Sequence, residues 1–196
     1  MDEIHAFTDQ MIEHLNASQV PPINVACKAG CSWCCHLDVE VTPLEVLRIV
    51  AFLRESLDAD TLPGVIDRVR TTHEQKMDRE NSGDVPKIPC ALLVEGLCSV
   101  YAVRPLKCRG GNSTDAEICK TYFETGENGL LTISAPQLLA ADSIQNGLAR
   151  GSSPSGDRLD RLELVSALAE AFENPENPEN MVNLDAVVHA RREERA

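Results

Sequence analysis

The sequence predicts a mainly α protein: a small helical domain around an irregular cysteine-rich metal-binding core, with at most a short hairpin. Three observations predict it. Apolar residues recur three to four apart in several separate stretches, which is the helical period. All eight cysteines fall between Cys27 and Cys119, most of them on segments without helical periodicity. Aromatic residues make up only 4% of a chain that is 43% hydrophobic, so any core must rest on Leu, Ile, Val and Ala.

Taken in order, residues 2–18 read as an amphipathic helix with Ile4, Phe7, Met11 and Leu15 on one face. Residues 19–26 are a connector holding Pro21-Pro22, and the first cysteine group follows at 27–35. Thr42-Pro43-Leu44-Glu45 is a helix start: Thr42 caps, Pro43 suits the first turn and Glu45 completes a capping box. That helix runs to Leu57 with Leu44, Leu47, Val50 and Leu53 as its stripe. A more polar helix covers 63–80 and is broken by Asn81-Ser82-Gly83-Asp84.

Residues 85–112 lack helical periodicity. Ala91–Val94 and Leu97–Tyr101 flank Glu95-Gly96, which reads as a short hairpin or tight loop. Residues 115–124 form a short helix carrying Cys119, and Ser134-Ala135-Pro136-Gln137 is a capping box opening a helix to Leu148. After a Gly/Ser/Pro linker at 151–156, residues 157–172 read as an amphipathic helix through Leu159, Leu162, Val165, Leu168 and Phe172. Prolines interrupt 173–180, and a last short helix covers 183–195. The expected organisation is a cysteine-cluster domain over 1–124 with its N-terminal helix, C-terminal helices over 125–172 packing on it, and an acidic linker with a terminal helix over 173–196.

Charge and composition exclude several classes. A net charge of -13 repels phosphate, so a nucleic-acid partner is not expected. No run of about 18 uncharged apolar residues exists, so no membrane partner is expected either. The start Met1-Asp2-Glu3-Ile4-His5 lacks the basic-then-apolar pattern of a secretory signal, so a cytoplasmic location is expected. Thiols stay reduced there, so eight cysteines favour a metal over disulfides. No Ser-His-Asp arrangement, phosphate loop or dinucleotide fingerprint is visible, and the residues leave enzymatic activity, substrate and protein partner open.

The candidate metal ligands form two groups: Cys27-x3-Cys31-x2-Cys34-Cys35, and Cys90-x7-Cys98-x9-Cys108-x10-Cys119. Short gaps let one loop wrap an ion, and long gaps bring the rest of the shell from elsewhere. Thiolates suit both tetrahedral zinc and iron–sulfur clusters, so zinc and an iron–sulfur cluster both stay open as the cofactor. Eight thiolates fit two four-coordinate sites, one cluster with spare thiols, or one multinuclear site. Cys34 and Cys35 are neighbours, and a disulfide between adjacent cysteines closes a strained ring. Residues 104–120 carry Arg104, Lys107, Arg109 and Lys120 against Asp115 and Glu117, a locally basic segment in an acidic chain. Arg104 and Arg109 are candidate cofactor-binding residues, because positive charge favours thiolate over thiol and offsets the charge of a thiolate-bound metal. His36 is a further candidate ligand or donor, Trp33 is placed to shield the site, and His5, His14, His73 and His189 read as helix-surface residues.

Cys27-Lys28-Ala29-Gly30-Cys31-Ser32-Trp33-Cys34-Cys35-His36 followed by Val41-Thr42-Pro43-Leu44-Glu45 resembles the opening of the YkgJ-type cysteine-cluster family, a zinc- or iron-chelating domain also described as iron–sulfur-cluster-containing. Pro89-Cys90-Ala91-Leu92-Leu93, Gly96-Leu97-Cys98-Ser99-Val100-Tyr101 and Val103-Arg104-Pro105-Leu106-Lys107-Cys108-Arg109 resemble its later stretches. The likeness covers residues 20–124 and takes in all eight cysteines. It departs at Ala91-Leu92, where Pro-Phe is common, an apolar change that bears on packing. The resemblance implies a metal-binding protein with a structural or sensory role. The alternatives are an iron–sulfur oxidoreductase or protein-modifying component, and a thiol-redox or metal-storage protein.

Overall fold

The computed structural model describes residues 1–82, 87–125, 133–151 and 161–173. The linker at 152–156, the low-complexity stretch beyond Glu173, the helix expected over 183–195 and His189 lie outside the described residues. Helix dominates the rest, with only two short antiparallel strand pairs, as the sequence predicts. The chain divides into two compact units, Met1–Leu37 with Lys87–Ile144, and Asp38–Pro86 with Gln145–Ala196. All eight cysteines belong to the first. Residues 38–86, which a linear reading leaves inside the cysteine domain, cluster with the C-terminal residues instead.

The cysteine unit opens with helix α1, Asp2–Ser18. Its buried face is His5, Thr8 and Ile12, not the expected stripe: Phe7 is half exposed, and His5 is not a surface residue. Thr8 tolerates burial because its hydroxyl donates to the Ile4 carbonyl at 2.7 Å, leaving only its methyl to pack. After the cysteine loop, Trp33–His36 form one turn of 3-10 helix. Strands Leu93–Val94 and Leu97–Cys98 make the expected hairpin, pairing Leu93 with Cys98 and Val94 with Leu97. The two turn residues, Glu95 and Gly96, have φ of 51° and 79°, the mirror-type turn that matches strand twist and that glycine adopts without cost. A 3-10 turn at Tyr101–Val103 leads into helix α4, Leu106–Gly110, which packs on α1. Helix α5 covers Ala116–Thr125. The core here is Ala91, Leu92, Val100, Val103 and Leu106.

Helix α6, Ala135–Gly151, starts where expected, but without the expected capping box. The Ser134 hydroxyl is buried and has no hydrogen-bond partner among the described residues. Gln137 turns away from it, accepting from Asn112 Nδ2 at 2.6 Å and donating to Asn16. Gln137 is fully buried, and burial forces its amide to find partners on other segments rather than on its own helix end.

In the second unit, Thr42 caps helix α2, Pro43–Ser56, with the full capping box in place. The Glu45 carboxylate accepts from Thr42 N at 2.7 Å, Thr42 Oγ1 at 2.9 Å and Gln145 Nε2 at 3.0 Å. The buried residues are Val46, Ile49, Val50 and Leu53, a stripe rotated from the expected one because α2 is apolar on more than one side. Helix α3 spans Leu62–Ser82 and buries Val65, Val69, Thr72 and Lys76. Lys76 Nζ is held between Asp38 and Glu163, each at 2.7 Å.

The final helix is shorter than its periodicity predicts. Helix α7 covers Leu164–Glu173, and Leu162–Glu163 are a strand paired with Glu40–Val41. The Glu163 carboxylate accepts from Ser166 N at 2.8 Å and so ends the strand by capping the helix. Leu162 is apolar in either pattern, which is why the helical period runs through it. Helix α7 packs against both α2 and α3 and is buried almost all round, which suits its Leu/Ala/Val composition.

Candidate metal centre

The N-terminal cysteine group lies on a loop and one 3-10 turn. Gly30, at φ 91°, lets the loop reverse, and Cys31 N donates to the Lys28 carbonyl at 3.0 Å. Cys35 N donates to Ser32 O at 3.0 Å and Leu37 N to Cys34 O at 3.1 Å, so Cys34 and Cys35 are presented from successive corners of the turn.

Two backbone clasps bring the second group to the first. Cys90 N donates to the Cys35 carbonyl at 2.7 Å; Leu93 N then donates to Cys90 O at 2.9 Å, and the hairpin sets Cys98 opposite Leu93. On the other side, Ala26 N donates to the Ser113 carbonyl at 2.8 Å, and Ser113 N donates to Cys27 Sγ at 3.1 Å. Ser113 Oγ accepts from Asp115 N at 3.1 Å, and Asp115 Oδ1 caps α5 through Glu117 N at 2.9 Å and Ile118 N at 3.3 Å. Cys119 is the next residue. Helix α5 packs on the 3-10 turn through Phe123, whose ring lies 5.5 Å from Trp33 and 4.4 Å from His36. Cys108 sits in α4.

None of the eight cysteines is in a disulfide. Cys34 and Cys108 are exposed and the other six are half-buried. Burial pushes the Cys27 thiol up, the Ser113 N–H opposes this, and the charges of Cys31, Cys34 and Cys119 add to the rise. Burial also raises Cys98, with Arg104 opposing and Cys34 adding. The Cys34–Cys35 hydrogen bond is the main cause of a lowered pKa at Cys34 and a raised one at Cys35, with Cys90 and Cys108 also raising Cys35. Every one of the eight thiols is therefore an electrostatic neighbour of another. Thiolates gathered this way repel one another, and a cation among them removes the penalty.

The basic segment does not act as one patch. Arg109 is buried: its guanidinium donates to Asp9 at 2.6 Å, to Arg104 O at 3.1 Å and to Ala102 O, tying α4 to α1. Lys107 pairs with Asp142. Arg104 stacks over Tyr101 at 4.1 Å and favours the Cys98 thiolate.

The donor set fits a thiolate-bound metal chemically. An N–H already points at a cysteine sulfur, and His36 Nδ1, beside Cys35, is buried with no hydrogen-bond partner among the described residues. The arrangement is not a closed shell: among the described residues, no three Cys, His, Asp or Glu side chains converge tightly enough to hold an ion as they stand. A family model matches residues 26–127, slightly more than half of the chain; it is CxxCxxCC, described as "Putative zinc- or iron-chelating domain". The chain belongs to the CxxCxxCC family. Its matched region spans all eight cysteines of the unit described above. The first gap of the CxxCxxCC pattern is one residue longer here, Cys27-x3-Cys31. No curated protein and no solved structure matches the chain.

Ser113, Phe123 and Lys87 escaped the sequence reading. Phe123 had a signal, lying one helical turn after Cys119 on the same face. Ser113 and Lys87, whose Nζ lies 4.8 Å from the Phe123 ring centre, had none, since chain-distant approach places them.

Proposed function

We propose that this CxxCxxCC domain is a thiolate metal chelator that binds zinc or an iron–sulfur cluster in a structural or sensory role. One observation carries the reading: all eight thiols lie in one unit, where the Cys90–Cys35 and Ala26–Ser113 backbone hydrogen bonds bring the two cysteine groups together. When bound, the metal supplies a positive centre that draws thiolates together. The chain's own part is to present the sulfurs. Ser113 N–H stabilises the Cys27 thiolate, the Cys35–Cys90 clasp holds the hairpin to the first group, and Trp33 packs its ring against Phe123 beside the cysteine turn. The exposure of Cys34 and Cys108 supports a sensory role, because exchange partners reach those sulfurs first. The net charge of -13 supports a function without nucleic acid. No helix among the described residues is long and apolar enough to cross a membrane.

The test is elemental analysis with visible and Mössbauer spectra on protein purified without oxygen. Stoichiometric metal is expected. Brown protein with broad absorbance near about 400 nm identifies iron–sulfur, and colourless protein with zinc identifies zinc. Metal-free protein that stays folded and gains nothing on metal addition refutes chelation.

A further inference from the structure

Ser113 meets the Cys27 sulfur with its backbone, and residues without sulfur hold Ser113 in place. Two bonds join the pair. Ser113 N donates to Cys27 Sγ at 3.1 Å, and Cys27 Sγ donates to the Ser113 carbonyl at 3.8 Å. Only the first survives when Cys27 is a thiolate, which accepts but has no proton to give. A donor aimed at a metal-bound sulfur strengthens or weakens the hold on the metal according to how constantly it points there.

The constancy has to come from elsewhere, because Ser113 lies between α4 and α5 and in neither. Its N–H shares one planar peptide with the Asn112 carbonyl, so fixing that carbonyl fixes the direction of the N–H. The Asn112 carbonyl accepts from Ser134 N, just before α6, at 2.8 Å. Two side-chain amides keep Ser134 opposite it. Asn112 Nδ2 donates to the Arg109 carbonyl and to Gln137 Oε1, each at 2.6 Å, and Gln137 donates onward to Asn16 in α1. Gln137 sits in the first turn of α6 and is fully buried. The Asn112–Gln137 bond therefore sets the start of α6 against the peptide whose N–H meets Cys27.

We infer that Asn112 and Gln137 are positioning residues for the metal centre, which aim the Ser113 N–H at the Cys27 sulfur and so set how tightly Cys27 holds its metal. The inference rests on the chelator reading.

The test is the cobalt(II) affinity of the reduced full chain, measured without oxygen from sulfur-to-cobalt charge-transfer absorbance in competition with a chelator. It is paired with residue-resolved amide hydrogen exchange of the metal-loaded protein. Asn112→Ala is expected to weaken cobalt binding by about tenfold, the low end for partners that act through a ligand. Exchange of the Ser113 amide should speed by a similar factor. The Cys90 amide, which donates to the Cys35 carbonyl in the other clasp, should exchange as in the wild type. Gln137→Leu should act in the same direction. Unchanged cobalt affinity overturns the inference and leaves chelation standing. So does equal acceleration at Ser113 and Cys90, the mark of amides that only tie helices together. No sulfur-to-cobalt band in the wild type refutes chelation, and the inference with it. Wild-type exchange decides even where a variant fails to fold: a slow Ser113 amide is expected, and one as fast as an exposed loop amide overturns the inference.

Discussion

Gly110, the last residue of α4, sits where there is no room for a methyl group. A Cβ built there would lie 2.4 Å from the Ala141 Cβ and 2.8 Å from the Gln137 carbonyl oxygen, against an ordinary carbon–carbon contact of about 3.5–4.0 Å. Neither obstacle can swing away, since one is a methyl fixed to its backbone and the other is backbone. Gly110→Ala must therefore push α4 from α6. Overpacking of this kind costs about 1–3 kcal/mol. For a chain of this size about 2 kcal/mol corresponds to about 4–8 °C in Tm. The assay is urea and thermal unfolding of metal-loaded protein, followed by circular dichroism. Gly64→Ala in α3, where nothing lies within 4 Å of the new Cβ, is the control and should gain up to about 1 kcal/mol from helix propensity. Adding Ala141→Gly to Gly110→Ala removes one clash and not the other, so part of the stability should return. Gly110→Ala that unfolds with wild-type midpoint, or a Gly64→Ala loss of equal size, refutes the close approach.

Three further outcomes are expected. Burial first, and the charge of Arg109 second, lower the His5 pKa from 6.5 to about 4. The unfolded chain thus takes the proton first, and stability present above pH 6.5 is lost as pH falls towards 4, by at most about 3 kcal/mol. His5→Leu should flatten urea midpoints between those pH values, and an unchanged slope rules His5 out. Glu45→Ala strands Thr42 N, Thr42 Oγ1 and the Gln145 amide in a buried place, costing about 2–4 kcal/mol by urea titration; a loss under about 0.5 kcal/mol contradicts the network. Trp33 is the chain's one tryptophan and lies between candidate ligands, so its emission should shift on metal loading and revert with chelator. Constant emission during measured metal uptake argues against its place beside the site.

Local signals were read correctly where neighbours in sequence supply the partners. The Thr42/Glu45 box closes within four residues, and the Glu95-Gly96 turn needs only its own backbone. Ser134-Ala135-Pro136-Gln137 has the same local pattern, yet Gln137 is claimed by Asn112 and Asn16. The helix expected from 157 begins at Leu164 because Leu162–Glu163 find a strand partner at Glu40–Val41. His5 is buried because α4 covers α1, and nothing in the α1 sequence reports that cover.

The eight cysteines, their grouping and their confinement to 27–119 were determined by sequence alone, because thiol chemistry and spacing are written in residue order. So was the helical character of the chain, since a period of three to four survives any later packing. Tertiary structure decided which sulfurs are neighbours. It placed Ser113 N–H on Cys27, joined Cys35 to Cys90 and diverted Arg109 to Asp9. Those contacts span tens of residues, and only the folded backbone brings such distant groups within hydrogen-bonding range.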